Sequence, residues 1–248
     1  MEFYHNNGFF LAKKCIKTRF LNKIENEIKN LFREDFFTLY KRDFNAFLGK
    51  ANISQYLLSI NELTTHQPIV KILKNLGLNN PVINTRPLVS YSHKDLSKND
   101  MYWKVPAHQD WPSMQGSIDG VTVWIPLVEL DESMGYLEVI PKSHLQGALK
   151  QKDNTVLDES SFDAKDFVPI VMNRGDVLIF NTFLIHRSGH NTSNKVRLTT
   201  HLRYDNADEE SFIQRNYPHH RVDKRADGIA FPDLDTKHLI NKLFVHSK

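Results

Sequence analysis

Short apolar runs separated by turns make up most of the chain from Pro81 onward, and they restrict the folds open to it. Turn-forming residues interrupt the runs at 117–120, 173–176 and 191–194. No helical pattern alternates with the runs, which argues against a parallel α/β sheet and for antiparallel packing. We therefore predict a mainly β fold with flanking helices, a β-sandwich or jelly roll. The predicted strands cover 82–91, 120–127, 135–140, 167–172, 176–180, 185–188 and 196–204.

Helical periodicity governs the first 80 residues. Leu21, Ile24, Ile28 and Phe32 recur on one helical face, and Thr18 is a candidate N-cap residue. A second helical stretch is predicted within 53–73. No repeat, low-complexity tract or linker divides the chain, so we expect one domain over 1–248. Its parts are then a mostly helical support over 1–80, a jelly-roll core over 81–205 and a C-terminal wrap over 206–248, with a short helix near 237–244.

Composition excludes several classes of protein. The formal charge of the 248 residues is +3 and the basic residues are dispersed, so nothing favours a nucleic-acid partner. The single cysteine, Cys15, cannot form an intrachain disulfide, which fits a reducing compartment. The start of the chain lacks a secretory pattern, and no apolar run approaches the roughly 18 residues of a membrane span. We expect a cytoplasmic monomer or homodimer without a membrane partner.

Three residues suggest a metal site. His108 and Asp110 are two positions apart, and His186 follows on a later predicted strand. Since successive strand side chains alternate between faces, His108 and Asp110 would point the same way. Two imidazoles and one carboxylate are the minimal set for Fe(II), and they leave coordination positions open for a co-substrate and dioxygen.

Strand alternation adds further residues to the same interior. Ser188 shares a face with His186, and Thr122 shares one with Trp124. Arg197 lies eleven residues after His186, and its planar guanidinium suits a carboxylate. The side chains that would share the Arg197 face of the last predicted strand are Thr199, His201 and Arg203.

A second His-x-Asp sequence tests how specific the first one is. His93 and Asp95 have the same spacing, but they lie in a charged segment without apolar alternation. We interpret that pair as an exposed loop. The metal assignment of His108 therefore depends on His186 and Arg197 following in order.

The ordered series resembles the phytanoyl-CoA dioxygenase family of Fe(II)- and 2-oxoglutarate-dependent oxygenases. The resemblance covers most of the chain and begins at Gly8-Phe9-Phe10, taken as the entry to the first helix. The other matching segments are His108-Gln109-Asp110, the strand 121–127 with its acidic turn 129–132, GYLEVIPKSH at 135–144, GDVLIF at 175–180, His186 and Arg197.

The resemblance implies a double-stranded β-helix, a cupin-like jelly roll, with iron inside the barrel. It implies His108, Asp110 and His186 as iron ligands and Arg197 as the residue that binds the distal carboxylate of 2-oxoglutarate. Ser188 matches a hydroxyl beside that arginine, and Trp124 matches a tryptophan near the co-substrate. The resemblance implies Fe(II) as the cofactor, 2-oxoglutarate as the co-substrate and dioxygen as the oxidant.

The expected reaction is hydroxylation of an unactivated C–H bond, with release of succinate and carbon dioxide. Halogenating relatives replace the carboxylate ligand by a small residue, so Asp110 favours a hydroxylase. Lys104 and Arg203 would suit an anionic small-molecule substrate, and Thr199 and His201 are candidate lining residues. Trp111 is another candidate. The alternative is that these side chains make internal polar contacts or, for Trp111, a hydrophobic cluster.

Two other functions are compatible with parts of the pattern. An AlkB-type demethylase also has a His-x-Asp, a distal histidine and two arginines six positions apart, as Arg197 and Arg203 are. The basic patch with interleaved aromatics expected of a nucleic-acid enzyme is not evident. A non-redox metal-dependent jelly-roll protein, an isomerase or a sugar-binding module, would not need Arg197 and Ser188 near the metal.

Overall fold

Two antiparallel sheets face each other, and helices cover the outer side of the larger one. The computed structural model describes residues 2–99, 105–152, 156–218 and 233–245. The strands are β1 Phe9–Ala12, β2 Pro81–Ser92, β3 Val121–Pro126, β4 Leu137–Val139, β5 Val168–Pro169, β6 Val177–Asn181, β7 His186–Ser188 and β8 Arg197–Asn206. The α-helices are α1 Glu2–Asn7, α2 Thr18–Phe32, α3 Phe36–Arg42, α4 Phe44–Ser54, α5 Leu58–Glu62, α6 Gln67–Asn75, α7 Lys94–Asn99, α8 Trp111–Met114, α9 Glu210–Gln214 and α10 Thr236–Phe244.

The larger sheet has the strand order β1-β6-β3-β8-β2, and the smaller has the order β5-β4-β7. Neighbouring strands that are distant in sequence pair with each other, as β3 pairs with both β6 and β8. This arrangement is a jelly roll with flanking helices, which confirms the predicted fold class.

The two faces of the larger sheet have different partners because side chains alternate along each strand. On β3, Val121, Val123 and Ile125 pack in one core with Leu21 and Ile24 of α2. Each fully buried leucine or isoleucine of this kind stabilises the fold by roughly 1.5–3 kcal/mol. The helical layer therefore fixes the outer face and leaves the other face for the barrel interior.

The inner face of the larger sheet packs against the smaller sheet. Trp124 of β3 and Phe180 of β6 share a buried cluster with Leu137 and Val139 of β4. Polar residues of β3 and β8 continue along the same inner face. A polar lining inside a closed core is a place for a ligand site.

Two local expectations in the N-terminal region are wrong. Helix α2 begins at Thr18, but Lys17 is its N-cap residue and provides no side-chain hydrogen bond. Gly8-Phe9-Phe10 does not enter a helix, because Phe9 begins β1 and pairs with Phe180 of β6. Gly8 permits this turn, since its φ of +80° lies in the left-handed region. A four-residue strand is too short to give an alternation signal.

The second His-x-Asp sequence is also not the exposed loop we expected. His93 is buried at the end of β2, with its ring centroid 3.8 Å from that of Phe37. Burial lowers the pKa of His93, although the Asp95 charge opposes the shift. The imidazole is thus part of the packing between β2 and α3.

None of the helices in the described ranges is both long enough and apolar enough to cross a bilayer.

Candidate metal and oxoacid site

His108 and His186 meet across a short antiparallel bridge. The His108 N–H donates to the His186 carbonyl at 3.0 Å, and the reverse hydrogen bond is also 3.0 Å long. Their ring centroids are 4.0 Å apart. His186 belongs to β7, whereas His108 makes only this isolated bridge. The backbone pairing therefore brings the two imidazoles to one point.

Asp110 reaches the histidines from a turn and not from a regular strand. It is the N-cap residue of α8 and has helical backbone angles, φ −74° and ψ −34°. We expected strand alternation to point Asp110 the same way as His108, and that explanation is wrong because Asp110 does not lie on a strand. The His108 Nε2 atom nevertheless lies 3.6 Å from Asp110 Oδ1. In the described part of the chain, His108, Asp110 and His186 form a group whose ligand atoms all lie within 4.8 Å of one another.

One nitrogen of each imidazole, Nδ1, is bonded to the backbone, so the other nitrogen, Nε2, is available to a metal. His108 Nδ1 lies 2.8 Å from the Pro106 carbonyl oxygen, and His186 Nδ1 lies 3.0 Å from that of Leu184. Since a carbonyl oxygen only accepts, each Nδ1 carries the proton and donates it. Each Nε2 then keeps its lone pair, the arrangement usual for metal-bound histidines.

The protonation states in the site suit a divalent cation. Burial and the neighbouring His108 lower the pKa of His186 to about 3. Burial alone would raise the pKa of Asp110, but Arg203 and the two histidines lower it well below its usual value. A neutral imidazole and an ionised carboxylate are the forms that bind metal. The residues present therefore fit an iron ion.

Each carboxylate oxygen of Asp110 accepts a hydrogen bond from one of two residues that face each other across neighbouring strands. Thr122 of β3 donates to Asp110 Oδ2 at 2.5 Å, and Arg203 Nη2 donates to Oδ1 at 3.3 Å. Thr122 and Arg203 are direct partners in the β3–β8 register. The shared face of Thr122 and Trp124 was predictable from the sequence, whereas the contact between Thr122 and Asp110 was not.

Arg197 is a buried cation without a carboxylate partner in the described ranges. Arg197 is the first residue of β8 and is 4% exposed. Its Nη1 donates to the carbonyl oxygens of Met134, Gly135 and Gly189 at 2.5–3.2 Å. Burial lowers its pKa to about 10, so the guanidinium is charged at neutral pH. A buried charge of this kind is costly unless an anion pairs with it.

Two glycines allow the carbonyl oxygens to approach Arg197. A Cβ on Gly135 would lie 2.6 Å from the Gly189 carbonyl carbon, and the φ of Gly135 is +72°. A Cβ on Gly189 would lie 2.1 Å from the backbone carbonyl oxygen of Tyr136. Only glycine therefore permits this close crossing of two backbone segments beside the guanidinium.

Four further predicted residues lie on strands β3, β7 and β8. Trp124 and His201 are direct register partners on the inner face, with ring centroids 6.3 Å apart. Thr199 Oγ1 lies 3.5 Å from His201 Nε2. Burial, together with the Arg203 charge, lowers the pKa of His201 to about 3, so this imidazole is neutral. Ser188 is partly buried on β7, two residues after His186.

Two candidate substrate residues have different outcomes. Lys104 lies outside the described residues. Trp111 is 1% exposed and stacks on Phe183, with Ile240 of α10 in the same cluster. Its indole N–H donates to the Gly116 carbonyl at 3.3 Å. These contacts favour the hydrophobic-cluster alternative for Trp111.

The comparisons with known proteins agree with this geometry. Residues 4–199 match the family model of phytanoyl-CoA dioxygenase. The methylphosphonate hydroxylase of Gimesia maris is 30% identical over 147 residues, 57% of this chain and 54% of that protein. Human peroxisomal phytanoyl-CoA dioxygenase is 22% identical over an alignment that covers 97% of this chain and 77% of that enzyme.

A solved structure shares the fold at low sequence identity. The epimerase SnoN, crystallised with Fe3+, alpha ketoglutarate and nogalamycin RO, superposes with a TM-score of 0.61. It is 16% identical, and the match covers 83% of this chain and 81% of that one.

The jelly roll, the matching family model and the His-Asp-His group together define a 2-oxoglutarate-dependent dioxygenase, a class that uses iron, 2-oxoglutarate and dioxygen. The chain belongs to the phytanoyl-CoA dioxygenase family. Membership favours this class over both the AlkB-type demethylase and the non-redox jelly-roll alternatives.

Proposed function

We propose that this protein hydroxylates an unactivated C–H bond of a small molecule while 2-oxoglutarate is converted to succinate and carbon dioxide. The observation that carries the proposal is the buried charge of Arg197, which has no carboxylate partner in the described ranges and lies in the same barrel interior as a three-ligand metal group. A metal group alone would serve a non-redox protein equally well. The additional anion site is what a chelating dicarboxylate requires.

His108, Asp110 and His186 would hold the iron. When bound, iron and 2-oxoglutarate supply the oxidising chemistry that dioxygen alone cannot deliver to a C–H bond. Three protein ligands leave room for the oxoacid and dioxygen. Thr122 and Arg203 would fix the orientation of the Asp110 carboxylate, since each donates to one of its oxygens.

Arg197 would bind the distal carboxylate of 2-oxoglutarate, with the Ser188 hydroxyl beside it. The Met134, Gly135 and Gly189 carbonyls already occupy Nη1, so they hold the guanidinium still and direct the remaining N–H groups elsewhere. A charge-assisted, bidentate contact to a carboxylate gives both affinity and orientation. Trp124 lies on the same inner face and would form a wall beside the oxoacid.

Asp110 supports hydroxylation in particular. A carboxylate in this position keeps the third protein ligand that halogenating relatives lack. One relative is named a hydroxylase, although the alignment spans 54% of it. The fold neighbour SnoN is named an epimerase, so the outcome of the reaction must be read from the product.

The test is succinate formation in air by the purified protein with Fe(II) and 2-oxoglutarate, without and with a panel of small molecules. Iron bound per chain is measured on the same samples. We expect uncoupled succinate release from the wild type, stimulation by a substrate, and a product that gains one oxygen atom from dioxygen.

The second His-x-Asp sequence provides a matched control. Asp110→Ala should lose bound iron and succinate formation, whereas Asp95→Ala, in the chemically similar His93 pair, should retain both. An Asp110→Ala protein that binds iron and forms succinate normally would contradict the proposal. A product isomeric with the substrate would keep the class but overturn hydroxylation.

A further inference from the structure

We propose that Arg203 is the substrate's anion-binding residue, so that the substrate is a compact molecule with an oxyanion, a carboxylate or phosphonate, close to the C–H bond that reacts. This proposal rests on the proposed function and names the substrate class for the same site. It concerns the end of the β8 inner face away from Arg197.

The first support is an unsatisfied donor. The Arg203 side chain is 16% exposed and donates to Asp110 through Nη2. Its Nε atom is buried and has no hydrogen-bond partner among the described residues. Leaving a buried donor unpaired costs about 1–3 kcal/mol, and more for a charged group. A bound acceptor would remove this cost.

The second support is the charge balance of the loaded site. The iron(II) ion, Arg197 and Arg203 would contribute four positive charges. Asp110 and the doubly ionised oxoacid would contribute three negative ones, and imidazoles that hold a metal are neutral. One excess positive charge remains in an interior of low dielectric, where a further anion is attracted strongly. A substrate oxyanion would neutralise it.

The third support is distance, and it limits the size of the substrate. Arg203 Nη2 is 3.3 Å from Asp110 Oδ1, and a guanidinium–oxyanion hydrogen bond adds about 2.8 Å. An oxyanion bound to Arg203 Nε therefore lies within roughly 6–8 Å of the candidate metal ligand. Only a few bonds can separate the anionic group from the carbon that reacts.

The experiment measures binding and not turnover. Anaerobic calorimetry on the Fe(II)- and 2-oxoglutarate-loaded protein compares propionate with propionamide and methylphosphonate with its dimethyl ester. The variants are Arg203→Gln, Arg203→Lys and, as a control, Arg187→Gln. Arg187 lies on β7 and pairs with Glu138, so it is an arginine outside the site.

We expect at least one oxyanion to bind about tenfold or more tightly than its neutral partner, which corresponds to about 1.4 kcal/mol. Arg203→Gln should remove that preference, Arg203→Lys should restore part of it, and Arg187→Gln should leave it unchanged. The carboxylate and phosphonate arms show which oxyanion fits, and a preference in either arm supports the proposal.

Several results would overturn it. If the wild type binds the charged and the neutral probes equally, or binds neither, the proposal fails on the wild-type result alone. An Arg203→Gln protein that keeps the preference would also overturn it. If that variant loses affinity for 2-oxoglutarate and not for the probe, Arg203 serves the oxoacid instead. A wild type that binds neither iron nor 2-oxoglutarate refutes the proposed function itself, which is a distinguishable result.

Discussion

Thr122 and Arg203 face each other across the β3–β8 pair, and each donates to a different oxygen of Asp110. The carboxylate is thereby fixed by the larger sheet, although its own backbone lies in the turn before α8. Hydrogen bonds from such supporting residues orient a metal ligand and tune its affinity. The sheet therefore contributes to the site through residues that do not themselves bind a metal.

The Thr122 hydroxyl should be needed for iron affinity. Thr122→Val keeps the shape of the side chain but removes its donor, so Asp110 Oδ2 loses its partner. We expect iron affinity to fall about 10- to 100-fold, the usual effect of losing such a contact. An anaerobic Fe(II) titration measures it. Thr200→Val is the control, because the buried Thr200 hydroxyl has no partner in the described ranges. Equal iron affinity of the two variants would contradict the role of Thr122.

Arg197 should control the affinity for 2-oxoglutarate without controlling iron. Arg197→Lys keeps the charge but loses the planar fork, so we expect the KM for 2-oxoglutarate to rise by roughly tenfold or more. Arg197→Met removes the charge and should raise the KM for 2-oxoglutarate further. Iron bound per chain should stay near that of the wild type in both. An unchanged KM in the methionine variant would rule out Arg197 as the carboxylate anchor.

A methyl group on Gly135 should disturb Arg197 indirectly. In Gly135→Ala, the new Cβ would collide with the Gly189 backbone at 2.6 Å, and the φ of +72° strains any other residue. We expect the free energy of unfolding to fall by about 1–3 kcal/mol from the strain, and the KM for 2-oxoglutarate to rise. Gly49→Ala, in α4, should instead stabilise by about 0.5–1 kcal/mol, because no atom of the described residues lies within 4 Å of its Cβ position. Urea unfolding and oxoacid kinetics on both variants decide the matter.

The inner face of the barrel was predictable because β3 and β8 are long enough for alternation to be read. Trp124, Thr199, His201 and Arg203 all lie on the expected face. The contact between Arg203 and Asp110 was not predictable, since it depends on the β3–β8 register and on the turn that carries Asp110. The 93 residues of chain between Asp110 and Arg203 leave no local signal for this contact.

Short elements and buried polar residues were harder to predict. β1 has four residues, and its pairing with β6 places it in the sheet despite the absence of an alternation pattern. His93 lies in a charged segment, yet its ring packs on Phe37. Trp111 follows a metal-ligand candidate, but α10 and Phe183 enclose it. In each case tertiary packing outweighs local composition.

Asp119 should make the fold less stable as the pH rises. Burial, with Glu209 and Asp205 nearby, raises its pKa from 3.8 to about 7, although hydrogen bonds from Asn206 and Ser117 oppose the shift. Since the folded pKa exceeds the unfolded one, the native state retains a proton that the unfolded state has lost between about pH 4 and pH 7. Stability is therefore greatest below this window, falls through it and is constant above about pH 7.

Asp119→Asn removes the titrating group and keeps an acceptor for the 2.7 Å hydrogen bond from Asn206. Urea unfolding at pH 5, 6, 7 and 8 should show the variant gaining stability over the wild type as the pH rises, by a few kcal/mol at most at pH 8. Titrating groups distant from Asp119 act equally in both proteins, so the difference reports on Asp119 and the carboxylates of Asp205 and Glu209 beside it. Asp233→Asn, a change at an exposed carboxylate, is the control and should follow the wild type. A difference between wild type and Asp119→Asn that does not vary with pH would show that Asp119 is ionised throughout in the folded protein.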